Sequence, residues 1–156
     1  MKNVIYIISA VLLSIVFWKC DSGGGDICLS NQNAAQAGLY SAHSLSDKDT
    51  VLTDLYIQGV GNDSILYDSV AVNSLFLPLS MQTDTTAYRI KVKTLLDTIW
   101  FVYKRDLSYV TSDCGLTMNI GIDTVLFTGR FIDSVAVIYP YILYNENIEN
   151  VKIYIN

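Results

Sequence analysis

Three cysteines, Cys20, Cys28 and Cys114, carry the most informative side-chain chemistry in this sequence. Cys20 closely follows an apolar segment, so it could end a membrane helix, join a disulfide or receive a lipid. If Cys20 is lipidated, two cysteines remain, and two cysteines in an exported domain most simply pair with each other. The alternative is a reactive thiol at Cys114, which needs a nearby base, and His43 is the one histidine of the chain. We therefore predict a Cys28–Cys114 disulfide.

The segment before Cys20 has the pattern of a lipoprotein signal peptide. Lys2 supplies a positive charge, and residues 4–18 form an apolar run of 15 residues. A signal peptide needs an apolar stretch of about 7–15 residues, whereas a stable membrane span needs about 20. We expect cleavage before Cys20 and acyl chains, palmitate among them, on that cysteine. Trp18 and Lys19 stand where small residues are usual, so an uncleaved anchor helix remains the alternative.

The chain is therefore predicted to have three parts: a signal peptide at residues 1–19, a lipidated cysteine and flexible tether at 20–33, and a folded domain at 34–156. Ser22–Gly25 is rich in glycine, a composition that predicts a flexible spacer. The chain carries 10 basic and 15 acidic residues, a net charge of −5. An acidic chain without a basic cluster excludes nucleic acid as a partner. The predicted location is the cell envelope, as an outer-membrane lipoprotein bound to the membrane through its lipid.

The folded domain has the local patterns of an all-β protein. Asp followed by Ser or Thr and then apolar residues recurs in six places, such as Asp97-Thr98, and predicts turns that precede strands. Residues 88–93 and 116–123 alternate between apolar and polar, which is typical of strands with one solvated face. Residues 99–103 predict a central strand, and Pro78 indicates an edge strand or a bulge. With no helical periodicity after the leader, we predict an antiparallel β-sandwich of roughly nine or ten strands, or else a barrel.

Patterns of catalytic or metal-binding residues are missing from the sequence. One histidine and a paired set of cysteines leave no zinc ligands. The Asn145–Asn150 segment comes nearest to a calcium loop, but it lacks the EF-hand spacing and is typical of a solvated turn. His43 lies in residues 38–45, which alternate like a strand, and no nucleophile-elbow motif is present. We therefore predict no catalytic residue, no metal and no cofactor. Paired carboxylates of a hydrolase remain open, since their separation depends on the fold.

Aromatic residues offer the remaining candidate site. Tyr139, Tyr141 and Tyr144 form a possible binding patch, because Pro140 ends a strand and exposes its neighbours. The aromatic residues at 100–103 are a second candidate, and core packing is the alternative for both groups. The predicted function is a non-enzymatic binding or structural module at the membrane, with an envelope protein or a glycan as partner. A small envelope hydrolase that acts on a glycan or similar polymer is the alternative.

Short stretches along the domain also carry a family resemblance. The most specific are Asp26–Cys28, Tyr109 with Asp113–Gly115, and Glu149–Ile153 near the end of the chain. On these stretches the chain resembles an uncharacterised family of small lipoproteins of unknown function from Bacteroidetes-type bacteria. The resemblance covers nearly all of the chain after the leader. It implies an exported, lipid-anchored β-protein, and it implies no reaction.

Overall fold

The computed structural model describes residue 28 and residues 33–44, 46–47, 49–62 and 64–156. The predicted signal peptide and most of the tether, Cys20 included, lie outside the described residues. The described ranges contain ten β-strands and no helix, and thus no helix that could cross a bilayer. An all-β fold is therefore confirmed for this part of the chain.

The strands are numbered in chain order, and turns or loops connect each to the next. They span Ala34–Ser41 (β1), Leu52–Gly59 (β2), Ile65–Val72 (β3), Ser74–Pro78 (β4), Thr85–Val92 (β5), Leu95–Thr111 (β6), Gly115–Phe127 (β7), Ile132–Val137 (β8), Tyr141–Ile142 (β9) and Val151–Ile155 (β10).

Two sheets pack face to face, and the predicted β-sandwich is confirmed. The larger sheet has six strands in the order β3-β2-β5-β6-β7-β9, and all of its pairs are antiparallel. The smaller sheet has four strands in the order β4-β1-β10-β8. Within it β1 and β10 run parallel, whereas the other strand pairs of the described residues are antiparallel, as predicted. The reason for the parallel pair is that β1 and β10 are far apart in the chain, so no hairpin turn imposes an antiparallel pairing.

The core lies between the two sheets and follows from the alternation of residues along each strand. Leu39 and Ile153 cover it from the smaller sheet, and Ile57 and Phe101 cover it from the larger one; each is at most 1% exposed. Burying one such side chain is worth about 1.5–3 kcal/mol. The alternating strands therefore supply the main stabilisation of the fold.

Three local predictions can be compared with the strand positions. Residues 99–103 lie in β6, between β5 and β7, and thus in the interior of the larger sheet as predicted. Pro78 ends β4, which is an edge strand as predicted. The expectation that His43 lies in a strand is wrong, since β1 ends at Ser41 and His43 is exposed in the following turn.

The β6–β7 hairpin ends in the predicted disulfide. Cys28 and Cys114 are bonded with an S–S distance of 2.05 Å, and their Cα atoms are 5.4 Å apart. Cys114 lies in the turn that joins the two strands. The backbone N–H of Cys114 donates a hydrogen bond to Thr111 Oγ1 at 3.1 Å. The disulfide therefore fixes the end of the tether to the far end of this hairpin. We call residues 107–116 the hairpin tip.

Asp97 is a buried carboxylate that holds the loop between β7 and β8. Its oxygens accept hydrogen bonds from the backbone N–H groups of Arg130, Phe131 and Ile132 at 2.8–3.1 Å. The Thr128 hydroxyl donates a further bond at 2.7 Å. Burial acts to raise the pKa of Asp97, but these donors outweigh burial and hold that pKa below its usual value. The sequence motif predicted a turn at Asp97, whereas the residue lies inside β6.

Candidate functional site

A groove of about 370 Å³ lies on the outer face of the larger sheet. This face is opposite the core, since Phe101 and Tyr103 of β6 are buried whereas Lys104 and Asp106 are exposed. Its volume falls within the range of about 300–1,000 Å³ that is usual for small-molecule sites. The groove is lined by Lys104, Asp106, Asn119, Ile120, Gly121, Asp123, Tyr141 and Leu143.

One row of residues across three strands creates this groove. Lys104 of β6 pairs with Gly121 of β7, and Gly121 pairs in turn with Tyr141 of β9. Residues that pair directly across strands point to the same face of a sheet. No heavy atom lies within 4 Å of the position that a Cβ of Gly121 would occupy. Because β6 and β9 are two strand spacings apart, about 10 Å, the gap between Lys104 and Tyr141 can take one six-membered ring.

Polar groups surround this gap. Lys104 Nζ and Asp123 Oδ2 are 3.2 Å apart in an exposed ion pair, and Asp106 is exposed beside them. Asn119 Oδ1 and Thr117 Oγ1 are buried and have no hydrogen-bond partner among the described residues. These two residues lie on the same face of β7, and each buried polar atom left unpaired costs about 1–3 kcal/mol. The groove therefore offers several polar groups to a ligand that carries hydroxyl groups.

Asn150 fixes the position of Tyr141. Its Nδ2 donates to the backbone oxygens of Tyr139 and Tyr141 at 3.0 and 2.9 Å, and its Oδ1 accepts from the backbone N–H of Gln36 at 3.0 Å. The backbone N–H of Ile122 donates to the oxygen of Pro140 at 2.7 Å. Asn150 is only 3% exposed. Hydrogen bonds from Asn150 and from Ile122 thus fix the backbone of residues 139–141, which carries Tyr141.

The structure brings two of the three predicted patch tyrosines together. Tyr139 and Tyr141 meet edge to face, with their ring centroids 6.0 Å apart and their planes at 76°. Tyr141 is 55% exposed, whereas Tyr139 and Tyr144 are half-buried. Tyr139 donates to Glu146 Oε2 at 3.0 Å, and this bond, followed by burial, raises the pKa of Tyr139. Tyr141 therefore faces the groove, and Tyr144 lies in the turn beyond it.

The second aromatic candidate divides between core and surface. Phe101 and Tyr103 are at most 1% exposed and belong to the core, whereas Trp100 is half-buried on the outer face of β6. The sequence prediction did not include Lys104, Asn119 or Gly121. A glycine inside an alternating strand is the signal that could have pointed to them, since such a glycine often marks a close approach to the backbone.

A second polar cluster covers the outer face of the smaller sheet. Tyr40 donates to the Glu149 carboxylate at 3.1 Å, and Tyr154 donates to Asp47 Oδ1 at 2.9 Å. Lys152 pairs with Asp47 and lies 4.9 Å from the ring centre of Tyr40. Hydrogen bonds from Lys152 and Tyr154 lower the pKa of Asp47, whereas burial and then the Glu149 bond raise that of Tyr40. Because these groups pair with one another, the cluster supports the sheet rather than a ligand.

The Asn145–Asn150 segment uses its polar side chains in separate contacts. Asn147 Oδ1 accepts a hydrogen bond from Gln36 Nε2 at 2.5 Å, and Glu149 and Asn150 have the partners described above. Asn145 has a positive φ of 60°, which marks a tight turn. No group of three or more His, Cys, Asp or Glu side chains within the described ranges could hold a metal ion.

Comparison with known proteins places the chain in a family but assigns it no activity. Neither a search of curated proteins nor a search of solved structures found a match. The groove, Asp97 and Asn150 all lie inside the region that a family model covers, whereas Cys28 and Tyr40 precede it. That model, described as a family of unknown function (DUF6452), matches residues 54–155, and the protein belongs to this family.

Proposed function

We propose that this protein is a lipid-anchored envelope protein that binds a glycan in the groove without modifying it. The apolar run at residues 4–18 and the cysteine that follows it, Cys20, support a lipid anchor. The Cys28–Cys114 disulfide supports export, because such bonds persist outside the reducing cytoplasm. The small lipoproteins of Bacteroidetes-type bacteria that the sequence resembles suggest the outer membrane as the location.

The gap above Gly121 is the observation that carries the binding proposal. An exposed tyrosine offers a flat apolar surface with a polar end, and Tyr141 lines one side of this gap. The apolar face of a sugar ring would stack on Tyr141, while its hydroxyl groups would bond with Lys104 and Asp106 on the other side. Asn119, which lines the groove and is half-buried, would add a further polar contact. A few polar groups around one apolar surface are the usual composition of a specific site.

Two variants test this assignment on the full-length protein in a mild detergent. Tyr141→Ala removes the stacking surface, and Gly121→Val fills the gap with a residue that strands favour. Leu126→Ala is the matched control. Leu126 lies on β7, as Gly121 does, and its exposed fraction of 55% equals that of Tyr141. Binding would be measured on a printed array of bacterial envelope glycans and plant polysaccharides, followed by affinity electrophoresis.

We expect both groove variants to weaken glycan binding by about tenfold or more, which corresponds to about 1.4 kcal/mol. Leu126→Ala should bind as the original protein does. If the original protein retains no glycan on the array, or if the groove variants bind as well as the control, the proposal is wrong.

A hydrolase is the second candidate, because Asp106 and Asp123 line the same groove. A glycosidase needs one carboxylic acid that keeps its proton, which burial in an apolar pocket provides. Both carboxylates are exposed, and Asp123 is already paired with Lys104. This geometry favours binding over cleavage. Release of reducing ends from a bound polysaccharide, abolished in Asp106→Asn or Asp123→Asn, would establish the hydrolase instead.

A further inference from the structure

The inner face of the larger sheet continues into the hairpin tip. Tyr103 and Ile122 pair across β6 and β7, and both are buried in the core. The register is regular from this pair to the Tyr109–Leu116 pair, so Leu107 and Tyr109 lie on the same face as Tyr103. Their partners, Met118 and Leu116, lie on that face too. Beyond the next pair on this face, in which Arg105 binds Asp84 and Ile120 is buried, the sheet therefore extends past the core as a ladder of two apolar pairs.

This ladder is the most exposed apolar surface that the described residues present. Leu107, Tyr109 and Leu116 are 62%, 65% and 67% exposed, the three highest values among their large apolar side chains. Neighbouring apolar side chains exposed together are typical of an interaction surface.

The tether indicates the partner. The disulfide holds Cys28 at the turn of the hairpin, and Cys28 is eight positions after Cys20 in the chain. A chain spans at most about 3.6 Å per residue, so a lipid on Cys20 would keep the hairpin tip within about 30 Å of the membrane. Leu95, at the other end of β6, is fourteen residues from Tyr109, or about 45 Å along the strand. Of the two ends of β6, the tip is thus the end held at the bilayer.

We propose that the ladder of Leu107, Tyr109 and Leu116 lies against the bilayer interface. This inference rests on the proposed lipid anchor at Cys20. Tyrosine is favoured at the level of the lipid headgroups, and the leucines would reach the outer ends of the acyl chains. Asp113, in the turn, would keep the contact shallow. Among the described residues no basic cluster accompanies the ladder, so we expect the contact to depend on apolar surface rather than on anionic lipid.

The experiment uses the mature acylated protein, from Cys20 onward, in phosphatidylcholine vesicles whose acyl chains carry bromine, a short-range quencher of indole fluorescence. Tyr109→Trp places an indole in the ladder with an aromatic-for-aromatic change. Leu95→Trp is the control, because Leu95 is a 46% exposed apolar residue on the same strand. The emission of Trp100 is subtracted by measuring the unaltered protein in the same vesicles. Flotation of the vesicles on a density gradient reports the lipid anchor separately.

We expect the emission of the added indole in Tyr109→Trp to fall by about twofold in brominated vesicles, as for a side chain at the interface. The indole in Leu95→Trp should be unaffected. Protein that floats but shows equal emission for the two variants would overturn the membrane contact and leave the anchor intact. Protein that does not float would overturn both proposals. A blue shift of the Tyr109→Trp emission with protein concentration in detergent would assign the ladder to a second copy of the chain and overturn the membrane contact.

Discussion

Replacing Asp97 by asparagine tests how β6 holds the loop before β8. The carboxylate is fully buried and receives three backbone N–H groups and one hydroxyl group. Asparagine keeps one acceptor oxygen and places an NH₂ group against donors. At least two backbone N–H groups, such as those of Phe131 and Ile132, would then lose their acceptor. At about 1–3 kcal/mol for each buried group left unpaired, we expect a loss of roughly 3–5 kcal/mol.

The loss would be measured by urea unfolding at pH 7 of the chain from Cys20 onward, with the emission of its single tryptophan, Trp100, and circular dichroism as probes. For a slope of about 1.5 kcal/mol per molar urea, the midpoint should fall by about 2–3 M. Asp106→Asn is the control, because Asp106 is exposed and its replacement should change stability by less than about 0.5 kcal/mol. If Asp97→Asn lowers the free energy of unfolding by less than about 1 kcal/mol, the assigned role of Asp97 is refuted.

The difference in unfolding free energy between the original protein and Asp97→Asn should also depend on pH. The pKa of Asp97 lies below its ordinary value of 3.8 in the folded protein. Its contribution to stability is therefore complete above that value and is lost as the pH falls through the lower pKa of the folded state. The difference in unfolding free energy between the original protein and Asp97→Asn should narrow below about pH 4. A difference that stays constant down to pH 2 would contradict the role of the ionised carboxylate.

Three further changes test other parts of the fold. The double variant Cys28→Ser/Cys114→Ser should lose about 4–5 kcal/mol in urea unfolding and no longer respond to reductant, whereas the original protein should. Gly38→Ala, which would collide with the Glu149 carboxylate, should lower the Tm by about 3–5 °C, but Gly121→Ala, whose Cβ enters open space, should not lower it. Asn150→Ala should cost about 2–4 kcal/mol and weaken glycan binding; stability equal to that of the original protein would refute its role.

The strands could be predicted because alternation is a local property of the sequence. In β5, Tyr88 and Ile90 are buried whereas Arg89 and Lys91 are not, as their residue types indicate. The parallel pairing of β1 with β10 could not be predicted in this way. It depends on which strand edges remain free once the neighbouring hairpins have formed, and single-strand patterns do not carry that information.

The candidate site was only partly predictable for the same reason. Tyr141 stands out locally because it follows Pro140, but Lys104 and Gly121 reach it through the register of three strands. That register includes a bulge at Val102/Tyr103, and a shift of one residue would exchange the two faces of the strand. Asp97 shares its local motif with other Asp-Ser/Thr pairs. What distinguishes it is a loop more than thirty residues further along the chain.

β10 lies between β1 and β8 in the smaller sheet, yet it follows all the other described strands in chain order. Its position therefore determines when the smaller sheet can be completed. Neighbours in sequence build most of the larger sheet, through the β2–β3, β5–β6 and β6–β7 hairpins, which can form early. The smaller sheet can pair β1 with β4 early, but it is completed only with residues 151–155, which join β1 to β8. A chain that emerges in order would therefore keep the apolar face of its larger sheet uncovered until this strand arrives. During that interval the uncovered face is prone to association with other chains, and a chaperone that binds apolar surface would prevent it.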